Sequence, residues 1–174
     1  MKKGKNRVFP IVMTVLIIVI IIYLFATVKQ PLVVCEKKTV NDLGIAISEE
    51  LEVTINGSEI DKMVLVKTIK LPDEYLKDDT YINSIMFTLE KSYDYLGDNK
   101  VSMSKTQNKV IARVEIDNDE TIILNNIEFF DNDELQMKIN SNTKSSDVVT
   151  LKINDKYTEG ELMTRLKNNG YSCR

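Results

Sequence analysis

Hydrophobic and polar positions fall into two regimes along this chain. Residues 8–28, VFPIVMTVLIIVIIIYLFATV, are 21 positions without a charge. At about 1.5 Å per helical residue such a run extends roughly 30 Å, the hydrocarbon thickness of a bilayer, and it predicts a transmembrane helix. Lys2, Lys3, Lys5 and Arg7 precede it. Positive charge stays on the cytoplasmic side, so residues 1–7 read as a basic cytoplasmic tail and everything after the helix as extracytoplasmic. A cleaved signal peptide competes with this reading, but its apolar region is usually about 7–15 residues and ends at a small-x-small site. The run here is longer, and Phe25-Ala26-Thr27-Val28 makes a poor cleavage site. The expectation is an uncleaved single-pass anchor that meets membrane lipid through residues 8–28. Lipid attachment at Cys35 fits less well, because Val34 stands where a small residue is needed.

Beyond the run, apolar residues return in short stripes. Residues 29–44 read as an extended tether, opened by Pro31 and joined to the domain edge by Val33-Val34, and residues 45–174 as an α+β domain. Leu51, Val53 and Ile55 alternate with Glu50, Glu52 and Thr54, and Asn56-Gly57 follows, which predicts a hairpin with a type I′ turn. The second arm, residues 60–71, is apolar on both faces at Met63-Val64-Leu65-Val66, as a central strand is, and is long enough to bend or bulge. Ile82, Ile85, Met86, Leu89, Tyr93 and Leu96 recur at three- and four-residue spacing and predict a helix over residues 80–96. Asp78 or Asp79 is positioned to cap it, and Gly97 to end it. Val101 and Met103, a turn near Gln107-Asn108, then Val110, Ala112, Val114 and Ile116 give a second hairpin. Residues 121–124 extend the sheet. Leu135, Met137 and Ile139 alternate like a strand, and Val148, Val149, Leu151 and Ile153 make the last one. Thr158 and Glu161 form a capping box for a closing helix, with Tyr157 and Leu162 as its staple and Gly170 as its terminator. The fold class that follows is α+β: a mainly antiparallel sheet of about five to seven strands with two helices on one face.

Charge and composition narrow the chemistry. All 26 acidic residues lie beyond residue 28 with 19 of the 23 basic ones, a net charge of −7 for that part. Bulk charge therefore opposes binding to nucleic acid or to a polyanionic surface. The chain has no histidine, which removes the commonest general base and the commonest transition-metal ligand. No catalytic residue, metal ligand or cofactor is assigned, and the chain reads as a non-enzyme. Cys35 and Cys173 bracket the domain and, in an oxidising compartment, read as a disulfide; the alternative is two free thiols.

Other constellations have simpler structural explanations. Asp117-Asn118-Asp119-Glu120 and Asp131-Asn132-Asp133-Glu134 invite calcium, but an EF-hand loop needs glycine sixth, where Ile122 and Gln136 stand. Solvated turns account for them better. Asn56-Gly57-Ser58 matches a glycosylation pattern that the hairpin turn already explains, and Tyr81, Tyr93 and Tyr95 read as half-buried at a sheet edge more readily than as a stacking platform. Pilins also begin with basic residues and an apolar helix, yet Lys5 follows Gly4 and no acid lies in the helix. For a partner contact, Glu49-Glu50-Leu51-Glu52 reads as a charge-blunted edge strand. The uncharged residues 121–127, followed by Phe129-Phe130, are the candidate surface, with Ile123, Phe129 and Phe130 as contacts if exposed and as core if not.

The membrane-proximal cysteine, the Asn-Gly hairpin whose second strand reads EIDKMVLVKTIKLP, the helix and strands that follow, and the ending LKNNGYSC resemble small surface proteins and lipoproteins of Gram-positive bacteria, the YehR-like group. The resemblance spans residues 35–173 and implies a cell-surface domain; it carries over no functional residue, and the missing lipobox departs from the lipoprotein members. The functional expectation is a membrane-anchored extracytoplasmic module that binds an unknown protein or surface ligand. The alternative is a structural or assembly partner of a larger membrane complex, acting through its transmembrane helix, which lacks a small-xxx-small motif.

Overall fold

The computed structural model describes residues 32–76, 79–97, 100–117, 119–124, 126–132, 134–140 and 148–174. The basic tail, the apolar run, Pro31, Asp78, Asn118 and the side chains of the second acidic cluster lie outside the described residues. Among the described residues, no helix is long and apolar enough to cross a membrane.

The fold is α+β, and among the described residues its sheet pairing is antiparallel. Strands β1 (Leu32–Val40), β2 (Ala46–Asn56), β3 (Glu59–Lys70), β4 (Val101–Thr106), β5 (Lys109–Ile116) and the two-residue β10 (Ser172–Cys173) form one sheet in the order β10-β1-β2-β3-β5-β4. Strand β6 (Thr121–Leu124) pairs with β9 (Val149–Lys152), and β7 (Asn126–Asn132) with β8 (Glu134–Asn140), as two further ladders. The helices are α1 (Thr80–Tyr93) and α2 (Glu159–Lys167).

Strict alternation makes one face of the main sheet apolar: Ile45, Ile47, Leu51, Val53 and Ile55 around β2, Met63, Leu65 and Ile69 on β3, and Val110, Ala112, Val114 and Ile116 on β5 are all buried. This face carries two separate clusters. One joins Cys35, Leu51, Val53, Met63, Leu65 and Val114 to Ile122, Leu151, Leu162 and Leu166. The other joins Ile45, Ile69, Val110 and Ala112 to Ile82, Ile85 and Leu89 of α1 and Leu135 of β8. At about 1.5–3 kcal/mol per fully buried large aliphatic side chain, these contacts supply most of the stabilisation.

Several local expectations are corrected. Leu32–Val40, read as tether, pairs with β2 along nine residues and has β10 on its other side. Strand β2 lies between β1 and β3, so Glu49-Glu50-Leu51-Glu52 is not an edge. The hairpin loop is Gly57-Ser58, with Asn56 opposite Glu59. Positive φ falls on Gly57 at +67° and not on Ser58, the pattern of a type II′ turn, where only the first loop residue needs the left-handed region. The register shifts between Thr54 and Ile55, which is the bulge the long arm suggested.

The first helix ends at Tyr93 and tightens into a 3₁₀ turn over Asp94–Leu96, after which Gly97 takes φ +76°. Asp79 stands at its N-cap without a side-chain capping bond; its carboxylate instead lies 3.3 Å from Lys105 Nζ. At α2 the capping box forms as expected: Thr158 Oγ1 accepts from Glu161 N–H, and the Glu161 carboxylate accepts from Thr158 N–H at 2.9 Å. Those bonds hold the Glu161 carboxyl below its usual range.

Candidate functional site

Two charges occupy positions where alternation places apolar side chains. Glu49 lies between Ile47 and Leu51 on the inward face of β2, and Lys67 between Leu65 and Ile69 on that of β3. Both are buried, 6% and 1% exposed respectively. They are direct cross-strand partners, and Lys67 Nζ lies 2.8 Å from Glu49 Oε1. The register extends the row across the sheet as Lys37, Glu49, Lys67, Ala112 and Met103, on β1, β2, β3, β5 and β4. Glu49 and Lys67 lie between the two apolar clusters, and Ala112 and Met103 belong with the second.

Two tyrosines complete the polar cluster. Tyr171, which follows α2, donates its hydroxyl to Glu49 Oε2. Tyr93, in the last turn of α1, is hydrogen-bonded to Lys67. Burial alone would lower the Lys67 pKa, but the fields of Tyr93 and Glu49 and their hydrogen bonds outweigh it, and the net shift is upward. Burial raises Tyr93 against the opposing pull of Lys67, and burial with the adjacent Glu49 charge and hydrogen bond raises Tyr171. The cluster thus holds an ammonium and two intact phenols at neutral pH. It supplies fixed donors to a carboxylate, not a deprotonated amine or phenolate. An internally satisfied network of this kind fixes register and packing.

The row opens at both sides of the covered face. Beside Lys37, a groove of about 320 Å³ is lined by Thr39, Ile47, Glu49, Ile127 and Glu128, and Lys37 sits 5.6 Å over the Tyr171 ring. Beside Met103, a groove of about 680 Å³ lies between β4 and α1, lined by Met86, Glu90, Tyr93, Asp94, Val101 and Met103.

Of the residues singled out from sequence, the fold brings Cys35 and Cys173 together. They are disulfide-bonded, directly opposite one another on β1 and β10, with Cα atoms 4.1 Å apart. Val34 and Arg174 exchange backbone hydrogen bonds of 3.2 and 3.0 Å beside them. Ile123, Phe129 and Phe130 are not one patch by register. Ile123, on β6, is half-buried and donates its N–H to the Tyr95 hydroxyl at 3.3 Å. Phe129 and Phe130 lie on β7; Phe129 is half-buried against the α1 cluster, and Phe130 is 41% exposed.

Tyr81 meets Tyr75 edge-on at 5.9 Å, and Tyr95 is exposed. At the first acidic cluster, Asp117 and Glu120 face Lys100, while Asp119 accepts from Asn154 at 3.1 Å and lies 3.7 Å from Lys152. Among the described residues, no group of three or more histidine, cysteine, aspartate or glutamate residues is arranged to hold a metal ion.

Sequence reasoning missed the Glu49–Lys67 pair. Its signal was parity: each residue stands two positions from buried neighbours on both sides. The partnership itself comes from strand register, which no local pattern encodes. No protein-family model, curated protein or solved structure matches the chain.

Proposed function

We propose that this chain is a membrane-anchored extracytoplasmic binding or accessory module of the cell surface, non-catalytic in its own right. The carrying observation is the Cys35–Cys173 disulfide, which closes the sheet a few residues past the apolar run. Such a bond belongs to oxidising compartments, in keeping with a basic tail inside and the domain outside. The cluster around Lys67 supports the non-catalytic reading, since its ionisable groups are buried and committed to one another. The resemblance to the YehR-like surface proteins points the same way.

Two measurements test this reading. A reporter fused after Arg174 is expected to be active only outside the cytoplasm; cytoplasmic activity overturns the topology. Replacing residues 1–28 by an unrelated anchor is expected to leave the cellular phenotype of the gene intact. Loss of that phenotype transfers the role to the transmembrane helix and favours an assembly partner.

A further inference from the structure

The two margins of the main sheet are β10 and β4. Strand β10 has two residues and is covalently tied to β1. Strand β4 has six residues, roughly 20 Å of backbone. The hydrogen bond from Glu115 N–H to Lys100 carbonyl, 2.9 Å, sets the alternation of the β4–β5 ladder. Ser102, Ser104 and Thr106 accordingly face β5, and the main-chain N–H and C=O groups of Val101, Met103 and Lys105 face outward. Among the described residues, no backbone hydrogen bond reaches those outward groups. Natural edges are usually blunted by proline, bulges or outward charge. Here there is no proline or register shift, and the one lysine, Lys105, turns to Asp79 and Asn83 on α1 at 3.3 and 3.0 Å.

The groove between β4 and α1 adjoins this edge. Its volume, about 680 Å³, falls within the usual range for ligand sites, and strand addition beside a helix needs such a trough for alternate side chains. Val101, Met103 and Met86 give it an apolar strip within a more polar lining, and Glu90 and Asp94 give it an acidic rim. Asp94 is paired with Lys91 at 2.8 Å; among the described residues Glu90 takes part in no ion pair. We propose that the β4 edge takes up an extended segment of a partner protein as a seventh strand, with apolar residues and one lysine or arginine facing Met103, Met86 and Glu90. The choice of occupant rests on charge. A second copy pairing β4 with β4 sets two Glu90 rims together in an acidic domain, whereas a basic segment meets opposite charge. This inference rests on the binding-module reading and names the partner's chemistry.

The test uses the full chain in detergent with two peptides, acetyl-Thr-Val-Thr-Lys-Thr-Val-Thr-amide and its counterpart with glutamate in place of lysine, read by amide hydrogen exchange. The lysine peptide is expected to slow exchange at Val101, Met103 and Lys105, and the glutamate peptide to bind about tenfold more weakly. The Glu90→Lys variant is expected to reverse that preference. Lys105→Pro, which removes an outward N–H without touching the ladder, abolishes protection, while Lys105→Thr retains it. Three outcomes overturn the proposal: no protection at these amides, protection at the Lys37 groove instead, or peptide-free, concentration-dependent protection that marks a second copy on the edge. The anchor-replacement experiment is independent of all three, so each reading fails separately.

Discussion

The half of the core under α2 and the half under α1 draw on the same face of the same sheet, but they are held differently. Under α2, the chain is closed by the Cys35–Cys173 bond and a complete capping box, and Tyr171 is pinned to Glu49. Under α1, the N-cap Asp79 makes no capping bond, the helix ends in a 3₁₀ turn, and the flank facing β4 is an open groove. Glu49 and Lys67, the buried charges among the described residues, stand where the halves meet. A sheet face can thus carry two cores that are closed differently on either side of a buried charge pair. The less constrained core is where a new strand would be accommodated.

The largest expected effect comes from breaking the shared boundary. Lys67→Met leaves the Glu49 carboxylate buried without its partner and is expected to cost about 3–5 kcal/mol in denaturant unfolding. Adding Glu49→Leu should recover a large part of that loss, since it removes the unpaired charge. If the double variant is as unstable as the sum of the single ones, the pair is not coupled. Next comes the α2 half alone. Reducing the disulfide, or Cys173→Ser, is expected to cost about 2–5 kcal/mol. Hydrogen exchange should then accelerate in α2 and β1 before α1; uniform acceleration would erase the distinction between the halves.

Alkaline pH probes the boundary without mutation. Lys67, Tyr93 and Tyr171 all hold their protons more tightly than ordinary lysine or tyrosine. The folded state therefore binds more protons than the unfolded chain once the pH passes about 10, and stability is full below that point and falls as the pH rises. Melting temperatures measured between neutral pH and pH about 11 should show the decline, and Tyr93→Phe should reduce its slope. The smallest effects compare the helix starts. Thr158→Ala is expected to cost about 1 kcal/mol. Asp79→Ala, which loses only an exposed ion pair, should cost no more than about 0.5 kcal/mol. Equal costs would mean the two caps are equivalent in solution.

Much of the secondary structure was legible because its causes are local. Period-two alternation around Leu51 and Val114, the three-four spacing from Ile82 to Leu96, and the Thr158/Glu161 box each act within a few residues. Of the errors, one has a local cause and one a long-range cause. Gly57 pairs with Ser58 rather than Asn56 because a two-residue loop needs only one left-handed position if it takes the type II′ form. Asp79 lost its capping role to a lysine from another strand.

By itself, then, the sequence determined both helices and most of the strands, the inward face of those strands, and the acidic, histidine-free chemistry of the domain, but not the strands Leu32–Val40, Asn126–Asn132 and Ser172–Cys173. Only the tertiary structure decided the strand order, which turned Leu32–Val40 from a tether into a paired strand and moved Glu49-Glu50-Leu51-Glu52 from an edge to the interior. It alone brought Glu49, Lys67, Tyr93 and Tyr171 into one cluster and left β4 as the open margin. The reason is physical: side-chain periodicity is written within a strand, whereas neighbours across a sheet are chosen by the packing of segments far apart in the chain, here as far as Cys35 and Cys173, 138 positions apart.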